Sequence, residues 1–347
     1  MDTANIKKNV TIADVARKAG VAISTVSRAF NNKEGLIKKE TKERILKIAK
    51  ELNYTPNALA RGLALKRSEN IGFLVKDIDN PQTVPFFSDI FAAATWEASK
   101  NNCNILFDSI KCDNKKWDGS LPKMIQEQNV EGVLLCGNFE PEIAETIENL
   151  GIKVILIDNH FNEGSFDTVF VNNVDAAFTA VEYLIGLNHK KIGFISDSLQ
   201  NISFKERFQG YKKALRKYKI EVDSNIIIHD VHSDYTKFLE KKDKIMKVIN
   251  EKPTAIFCAQ DRLAINLIRL LNEEGYKVPE DISIIGFDDI YESQFVIPPL
   301  TTIRVFRNEM GSMGTKLLLE RIFKFRKEPI SVKLSYELVE RESCRKI

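Results

Sequence analysis

The chain has 347 residues, 44% hydrophobic and 29% charged, which is the composition of a globular protein with room for two or three domains. Mean hydropathy is −0.21, no apolar run approaches the ~20 residues that span a bilayer, and the amino terminus lacks a signal-like apolar stretch; membrane and secreted classes are excluded and a cytoplasmic location is expected. Five scattered cysteines (Cys103, Cys112, Cys136, Cys258, Cys344) form no CxxC pair, so a disulfide framework and a zinc site are set aside.

Charge is unevenly placed. Residues 1–70 carry 15 Lys and Arg against 7 Asp and Glu, a net of +8, and the chain total of +3 leaves −5 for the remainder. A basic head on a mildly acidic body points to a polyanionic partner for the head alone. A lysine-rich solvated face is the other reading, so the arrangement of residues has to decide.

Thr11-Ile12-Ala13-Asp14 fits a capping box, and Ile12, Val15, Ala16 and Ala19 follow as one apolar stripe at helical spacing. Gly20 supplies the left-handed turn of a tight helix–turn–helix. Residues 22–31 predict a second helix with Val26, Ala29 and Phe30 on one side and Ser24, Ser27, Arg28 and Asn31 on the other. Hydroxyl, guanidinium and amide groups on one exposed face match the donors and acceptors of base edges and phosphates. A third helix is expected over about 40–52, on Ile45, Ile48, Ala49 and Leu52. Two stripes about a glycine turn in a strongly positive segment predict a DNA-reading head. Pro56 then opens a stretch over 57–64 that is too short to hold as a helix alone and should fold only against a partner copy or DNA.

These residues, TIADVARKAGVAISTVSRAFNN and then YTPNALARGLA, resemble the lactose-repressor/galactose-repressor family of bacterial transcription regulators, and the likeness extends over essentially the whole chain. The resemblance implies that Ile23, Ser24 and Arg28 read bases in the major groove. It implies that Thr11, Thr25, Ser27, Asn31 and Thr41 touch phosphates, and that Asn57, Ala60 and Leu63 belong to a hinge helix whose leucine wedges into the minor groove. Ala22 replaces the serine usual at the start of the reading helix, and Lys38 stands where a small hydroxyl residue often opens the third. Losing the serine cap should cost about 1 kcal/mol. Ile23 can touch a thymine methyl but cannot hydrogen-bond a base.

From Ile71 onward, β-rich runs alternate with amphipathic stretches: 71–75, 104–108, 132–136 and 153–157, then 191–195, 225–229, 254–258 and 282–286. Continuous apolar strands with helical crossovers indicate parallel sheets covered on both faces, and two such sets indicate two similar lobes. Ligands of such sheets bind beyond the carboxyl ends of strands, where Asn138, Asp158, Ser196-Asp197 and Asp261 fall. The resemblance implies a body like a periplasmic sugar-binding protein. In it Phe86 and Phe87 match an aromatic pair at the cleft, and Asn201, Ser203 and Arg207 (in NISFKERFQGY) and Asp261 (in FCAQDRL) match ligand contacts, with Asn138 a looser match. VPEDISIIGFDD (278–289) and PPLTTIR (298–304) are further signatures, read as turns and crossover strands. Gln82-Thr83-Val84-Pro85 intervenes where the family runs directly into its phenylalanines, Phe306 replaces a usual proline, and Asn172 a usual aspartate. Taken by themselves, Phe86 and Phe87 read as core, Arg207 as an exposed helix residue and Asp261 as a helix cap; the resemblance favours ligand contact.

The expected fold class is therefore an all-α helix-turn-helix head plus an α/β two-lobed periplasmic-binding-protein-like core with two parallel doubly wound sheets. The expected boundaries are 1–55 for the head, 56–69 for the hinge helix and linker, and 70–347 for the effector-binding and dimerisation core, with an N-lobe of about 70–160 and 298–325 and a C-lobe of about 161–297 and 326–347. No GxGxxG follows a strand, no P-loop or GxSxG occurs, and His160, His189, His229 and His232 are too dispersed for a triad. His229 and His232 lack an evident third metal ligand, so no metal, cofactor or catalysis is expected.

The expected function is a repressor that binds pseudo-palindromic double-stranded operator DNA as a homodimer. A small sugar or sugar derivative closes its lobes and alters the separation of the two linkers. The absence of a heptad tail before Ile347 favours a dimer over a tetramer. The alternatives weighed are a cytosolic sugar-binding protein without direct DNA readout and a nucleic-acid enzyme; the helix–turn–helix counts against the first and the missing motifs against the second.

Overall fold

Three helices build the first unit: α1 (Ile12–Ala19), α2 (Ile23–Phe30) and α3 (Lys39–Glu51). The structure, a computed structural model, describes residues 10–30, 37–55, 67–76, 84–113, 116–161 and 165–347, and divides into Met1–Ser68 and Glu69–Ile347. Asn31 and the hinge residues Asn57, Ala60 and Leu63 lie outside the described residues. The Thr11 backbone N–H and hydroxyl both donate to Asp14 Oδ2, at 3.0 and 2.7 Å, which fixes the start of α1. Gly20 ends it at φ 63, where a side chain would be strained. Val15, Ala16, Ala19, Val26, Ala29, Ile45 and Ala49 bury together, with Phe30 edge-on to Tyr54 at 5.7 Å. Small alanines let three short helices approach closely around a core of few side chains.

The second unit starts with β1 (Asn70–Lys76), α4 (Val84–Lys100) and β2 (Asn104–Ile110), then a short hairpin of β3 (Cys112–Asp113) and β4 (Lys116–Trp117). α5 (Lys123–Gln126), β5 (Gly132–Cys136), α6 (Pro141–Asn149), β6 (Lys153–Ile157) and β7 (Asp167–Val171) complete the first lobe's run of strands. α7 (Asn173–Gly186) leads into the second lobe. There β8 (Ile192–Ile195), α8 (Ile202–Lys217), β9 (Ile227–Ile228), α9 (Tyr235–Leu239), α10 (Lys242–Asn250), β10 (Ala255–Cys258), α11 (Asp261–Glu273) and β11 (Ser283–Ile285) alternate. The chain then returns through β12 (Thr302–Val305), α12 (Arg307–Ile322), β13 (Ser331–Leu334) and β14 (Tyr336–Val339).

The strands form two parallel sheets, ordered β13-β7-β6-β5-β1-β2 and β11-β10-β8-β9, and β12 pairs antiparallel with β14 where the chain crosses between lobes. Every residue of β5, β8, β10 and β11 is buried, as sheets covered by helices on both faces require. The lobe boundaries differ from expectation. β7 and β13, assigned from the sequence to the second lobe, pair with each other and extend the first sheet through Ile155↔Asp167 and Ser331↔Thr168. The C-terminal tail runs beside β11: Ile284 N donates to Ser343 O at 2.8 Å and Arg345 N to Ser283 Oγ at 3.1 Å. Among the described residues no helix is long and apolar enough to cross a membrane.

Candidate functional site

In the first unit, α2 buries Val26 and Ala29 and turns Ile23, Ser24 and Arg28 outward, with Ile23 51% exposed. An isoleucine held in water beside a serine and an arginine has no packing reason to be there. Thr25, Ser27 and Thr41 are half-buried, and Thr11 is exposed with its hydroxyl proton committed to Asp14. No side chain caps α3 at Lys38.

In the second unit, a cavity of about 110 Å³ opens at the carboxyl ends of both sheets. That is several times what one ordered water needs. The first lobe contributes Phe86 and Phe87 from the first turn of α4 and Asp158 just beyond β6. The second contributes Asn201, Ser203, Phe204 and Arg207 from the start of α8, Ser233 from just before α9, Gln260 and Arg262 around the start of α11, and Ile290. Asp288 comes from the strand leaving β11.

The aromatic pair is set edge-to-face at 5.2 Å. Behind it Gly137, at φ 97, leaves room for the ring: a Cβ there would stand 2.9 Å from Phe87 Cζ. Arg207 is only 3% exposed, and each of its three guanidinium nitrogens has a protein partner. Its Nε donates to Asn173 Oδ1 at 2.9 Å, Nη1 to Ala259 O at 2.6 Å, and Nη2 lies 3.1 Å from Asp288 Oδ1, while its Cζ stacks 3.7 Å over the Phe287 ring. Asn201 caps α8 by accepting from Ser203 N at 2.9 Å. Arg307, at the start of α12, donates to the backbone oxygens of Asp288 and Asp289 and to Asp89 of α4, so residues on both sides of the cavity share one guanidinium.

The carboxylates here are perturbed. Burial pushes Asp158 up to about 7, with Arg207 opposing and Asp288 and Glu206 adding to the rise. Asp158 Oδ1 is buried and accepts no hydrogen bond among the described residues. Burial also raises Asp288, against Arg207 and Arg307. His160 is raised by its contact with Glu206, whose Oε1 stands 3.1 Å from Nε2.

Two expected contacts are not in the cavity lining. Asp261 is 0% exposed and faces away, accepting from Ile290 N at 2.9 Å, Ser293 Oγ at 2.7 Å and Thr302 Oγ1 at 2.5 Å. Its place at the first position of α11 aims the side chain at the interlobe strand β12, and its neighbours Gln260 and Arg262 face the cavity instead. Asn138 is half-buried near the end of β5 and does not line the space. Sequence reasoning missed Phe204, Ser233, Gln260, Arg262 and Ile290, took Asp288 for a turn residue, and noted Asp158 only as the residue after a strand. The sequence signal for Asp158 is an acid directly after the apolar run of β6; the structure adds its left-handed φ of 53 and a half-buried position.

Both units have counterparts among known proteins. The profile of the lacI family of bacterial regulatory proteins matches residues 11–57, and that of the periplasmic binding protein-like domain matches 181–344. The HTH-type transcriptional repressor PurR of Mannheimia succiniciproducens is 30% identical over 97% of this chain and 99% of its own length. The ribose operon repressor of Haemophilus influenzae is 32% identical over 90% of this chain and 92% of its own. A crystal structure of the lac repressor dimer bound to operator and the anti-inducer ONPF superposes with a TM-score of 0.81 at 25% identity, covering 97% of this chain and all of that one.

Proposed function

The chain belongs to the lacI family of bacterial regulatory proteins, and we propose that it is a cytoplasmic transcriptional repressor whose operator affinity is set by a small sugar-like effector held between its two core lobes. One head reads few base pairs, so two copies on a pseudo-palindrome supply specificity. Ile23, Ser24 and Arg28 read bases; Thr11, Thr25, Ser27, Asn31 and Thr41 hold phosphates; Asn57, Ala60 and Leu63 act at the hinge. The effector rests its apolar face on Phe86 and Phe87 and its hydroxyls on Asn201, Ser203, Arg207, Asp158 and Asp288. Asp261 supports the site through Ile290. Effector and operator are linked by a coupling free energy, typically about 1–3 kcal/mol, because each prefers one of two states.

The observation that carries this reading is the cavity itself, where an aromatic pair from one lobe faces a buried Arg207–Asp288 pair across converging strand ends. Catalysis is not part of the proposal. The Ser196 Oγ and His229 Nδ1 pair, 2.8 Å apart, is the arrangement that would favour it, yet Ser196 is fully buried and lies outside the cavity lining, and Phe194 and Phe208 pack against the His229 ring. The test is anisotropy titration of promoter fragments at physiological salt, with and without D-ribose and other free sugars. Retention of one fragment well above scrambled DNA, altered by a sugar, supports the reading; equal retention of all sequences overturns it.

A further inference from the structure

We propose that His160 and Glu206 form a latch between the two core lobes, outside the cavity lining, which positions the halves of the effector cleft against each other and grips most firmly while His160 carries its proton. The inference rests on the effector reading above and concerns how that site is regulated.

The two residues belong to different lobes. His160 sits between β6 and β7, both strands of the first sheet, and Glu206 lies on α8, between β8 and β9 of the second. His160 Nε2 stands 3.1 Å from Glu206 Oε1, with side chains 28% and 18% exposed, so solvent screens the contact less than it would an open surface pair. Both partners are held from behind. The imidazole stacks on Phe170 of β7, centroids 4.8 Å apart, and Glu206 Oε2 accepts from Asn173 Nδ2 at 3.2 Å. Each is also tied by the chain to the cleft: His160 follows Asp158 by two residues, and Glu206 directly precedes Arg207. A movement that parts the lobes at those lining residues therefore strains the same contact.

The surroundings set the charge on the ring. The hydrogen bond to Glu206 lifts His160 above its ordinary 6.5, burial works against it, and the charges of Glu206 and Asp158 add to the rise while Lys333 of β13 opposes it. Arg207, beside Glu206, is turned to Asp288, and Phe170 and Asn173 bring no charge. The latch is therefore complete below about pH 6.5 and weakens as pH rises through the raised value, where the neutral ring keeps at most an uncharged N–H donor. Arg307 joins Asp89 of α4 to the backbone oxygens of Asp288 and Asp289 and keeps its charge throughout, so the lobes stay connected while this one contact titrates. An occupant that touches both lobes binds best where both walls are in place. A weaker latch lowers the population of that arrangement and, with it, the apparent affinity.

The test is amide hydrogen exchange, read by mass spectrometry on the full-length protein without effector at about pH 6 and about pH 8.5 and corrected for the intrinsic change in exchange rate. Protection of residues 158–161 and 202–207 should fall about 3- to 10-fold at the higher pH, the difference between a charge-assisted and a neutral hydrogen bond. His160→Gln and Glu206→Gln, each checked for folding by circular dichroism, should show the lower protection at both pH values, and combining them should add little. The step should persist in Asp158→Asn, the other group here that titrates near neutrality. No step in wild type, or a step that survives in His160→Gln, overturns the latch. The functional arm titrates D-ribose and D-glucose calorimetrically at both pH values, and the affinity ratio between them should be about 3- to 10-fold larger in wild type than in His160→Gln. Equal ratios overturn the positioning role. Silence toward both sugars counts against the effector reading, while the latch stands or falls on exchange alone.

Discussion

Arg207 Nη2 stands 3.1 Å from Asp288 Oδ1, and this contact ties α8 of the second lobe to the strand that leads back into the first. Both partners are almost completely buried, so each is the other's main compensation for lost water. Arg207→Met keeps the packing over Phe287 and strands the Asp288 carboxylate. The expected loss is about 3–5 kcal/mol, read as a lower urea midpoint. The loss should shrink as pH falls, because burial already raises Asp288 and the stranded carboxyl can then take a proton, and adding Asp288→Asn should recover part of it. A single variant as stable as wild type would show that the pair carries no net weight.

Asp158 makes a prediction about pH. Its folded pKa lies near 7 and its ordinary value is 3.8, so the folded state holds a proton that the unfolded chain has released. Stability from this group is fully present below about pH 4, falls as pH rises toward 7 by up to about 1.4 kcal/mol per unit, and stays lost above. Asp158→Asn removes that linkage. The variant should gain on wild type between pH 4 and 7 and keep a constant advantage beyond, measured as paired melting temperatures. An advantage that shrinks with rising pH contradicts the assigned environment.

Phe87 depends on the bare backbone at Gly137. Alanine there combines an unfavourable φ of 97 with a Cβ 2.9 Å from the ring. Gly137→Ala should cost on the order of 1 kcal/mol or more of stability and push the ring into the cavity, weakening sugar binding beyond what the stability loss explains. Unchanged affinity in a folded variant would detach Phe87 from the site.

The limits of the sequence lie in what is nonlocal. Strands β5, β6, β8 and β10 were legible because each is a continuous apolar run bounded by turn residues. β7 and β13 were not, since Asp167-Thr168 and Ser331-Val332-Lys333 look like loop, and they become strands by pairing in series onto β6, β7 directly and β13 through β7. The second strand set was read too long at 225–229, where residues 224–226 form a 3-10 turn before β9. At the site, Phe86, Phe87, Asn201, Ser203 and Arg207 travel with recognisable motifs. Asp158 and Asp288 meet only because the ends of β6 and β11 face each other across the lobes, a fact no local pattern contains.

Asp261 shows how one residue of offset changes a role. It holds Ile290, Ser293 and Thr302 from beneath, while burial lifts its pKa to about 7. Asp261→Ala leaves a backbone N–H and two hydroxyls without their acceptor, and a loss of about 3 kcal/mol or more is expected. Because Ile290 lines the cavity, sugar affinity should fall too, but through a disordered wall. Asp261→Asn separates the two effects: the amide oxygen still accepts from Ile290 N, so affinity should recover more fully than stability. Loss of binding in a variant with native stability would instead indicate direct contact.

The DNA-reading face is tested at Arg28, which projects from α2 on the side away from Val26 and Ala29. An arginine that forks onto a guanine edge contributes about 1–3 kcal/mol of discrimination, whereas one that meets only phosphate contributes equally on any sequence. Arg28→Ala should therefore lower operator affinity by roughly 10- to 100-fold while random DNA loses far less. Arg28→Lys should rescue the random-DNA affinity but not the discrimination, because an ammonium lacks the planar fork. Sugar binding, measured on the same preparations, should not move. Parallel losses on operator and random DNA would reassign Arg28 to the backbone and leave Ser24 and Ile23 as the base-reading residues.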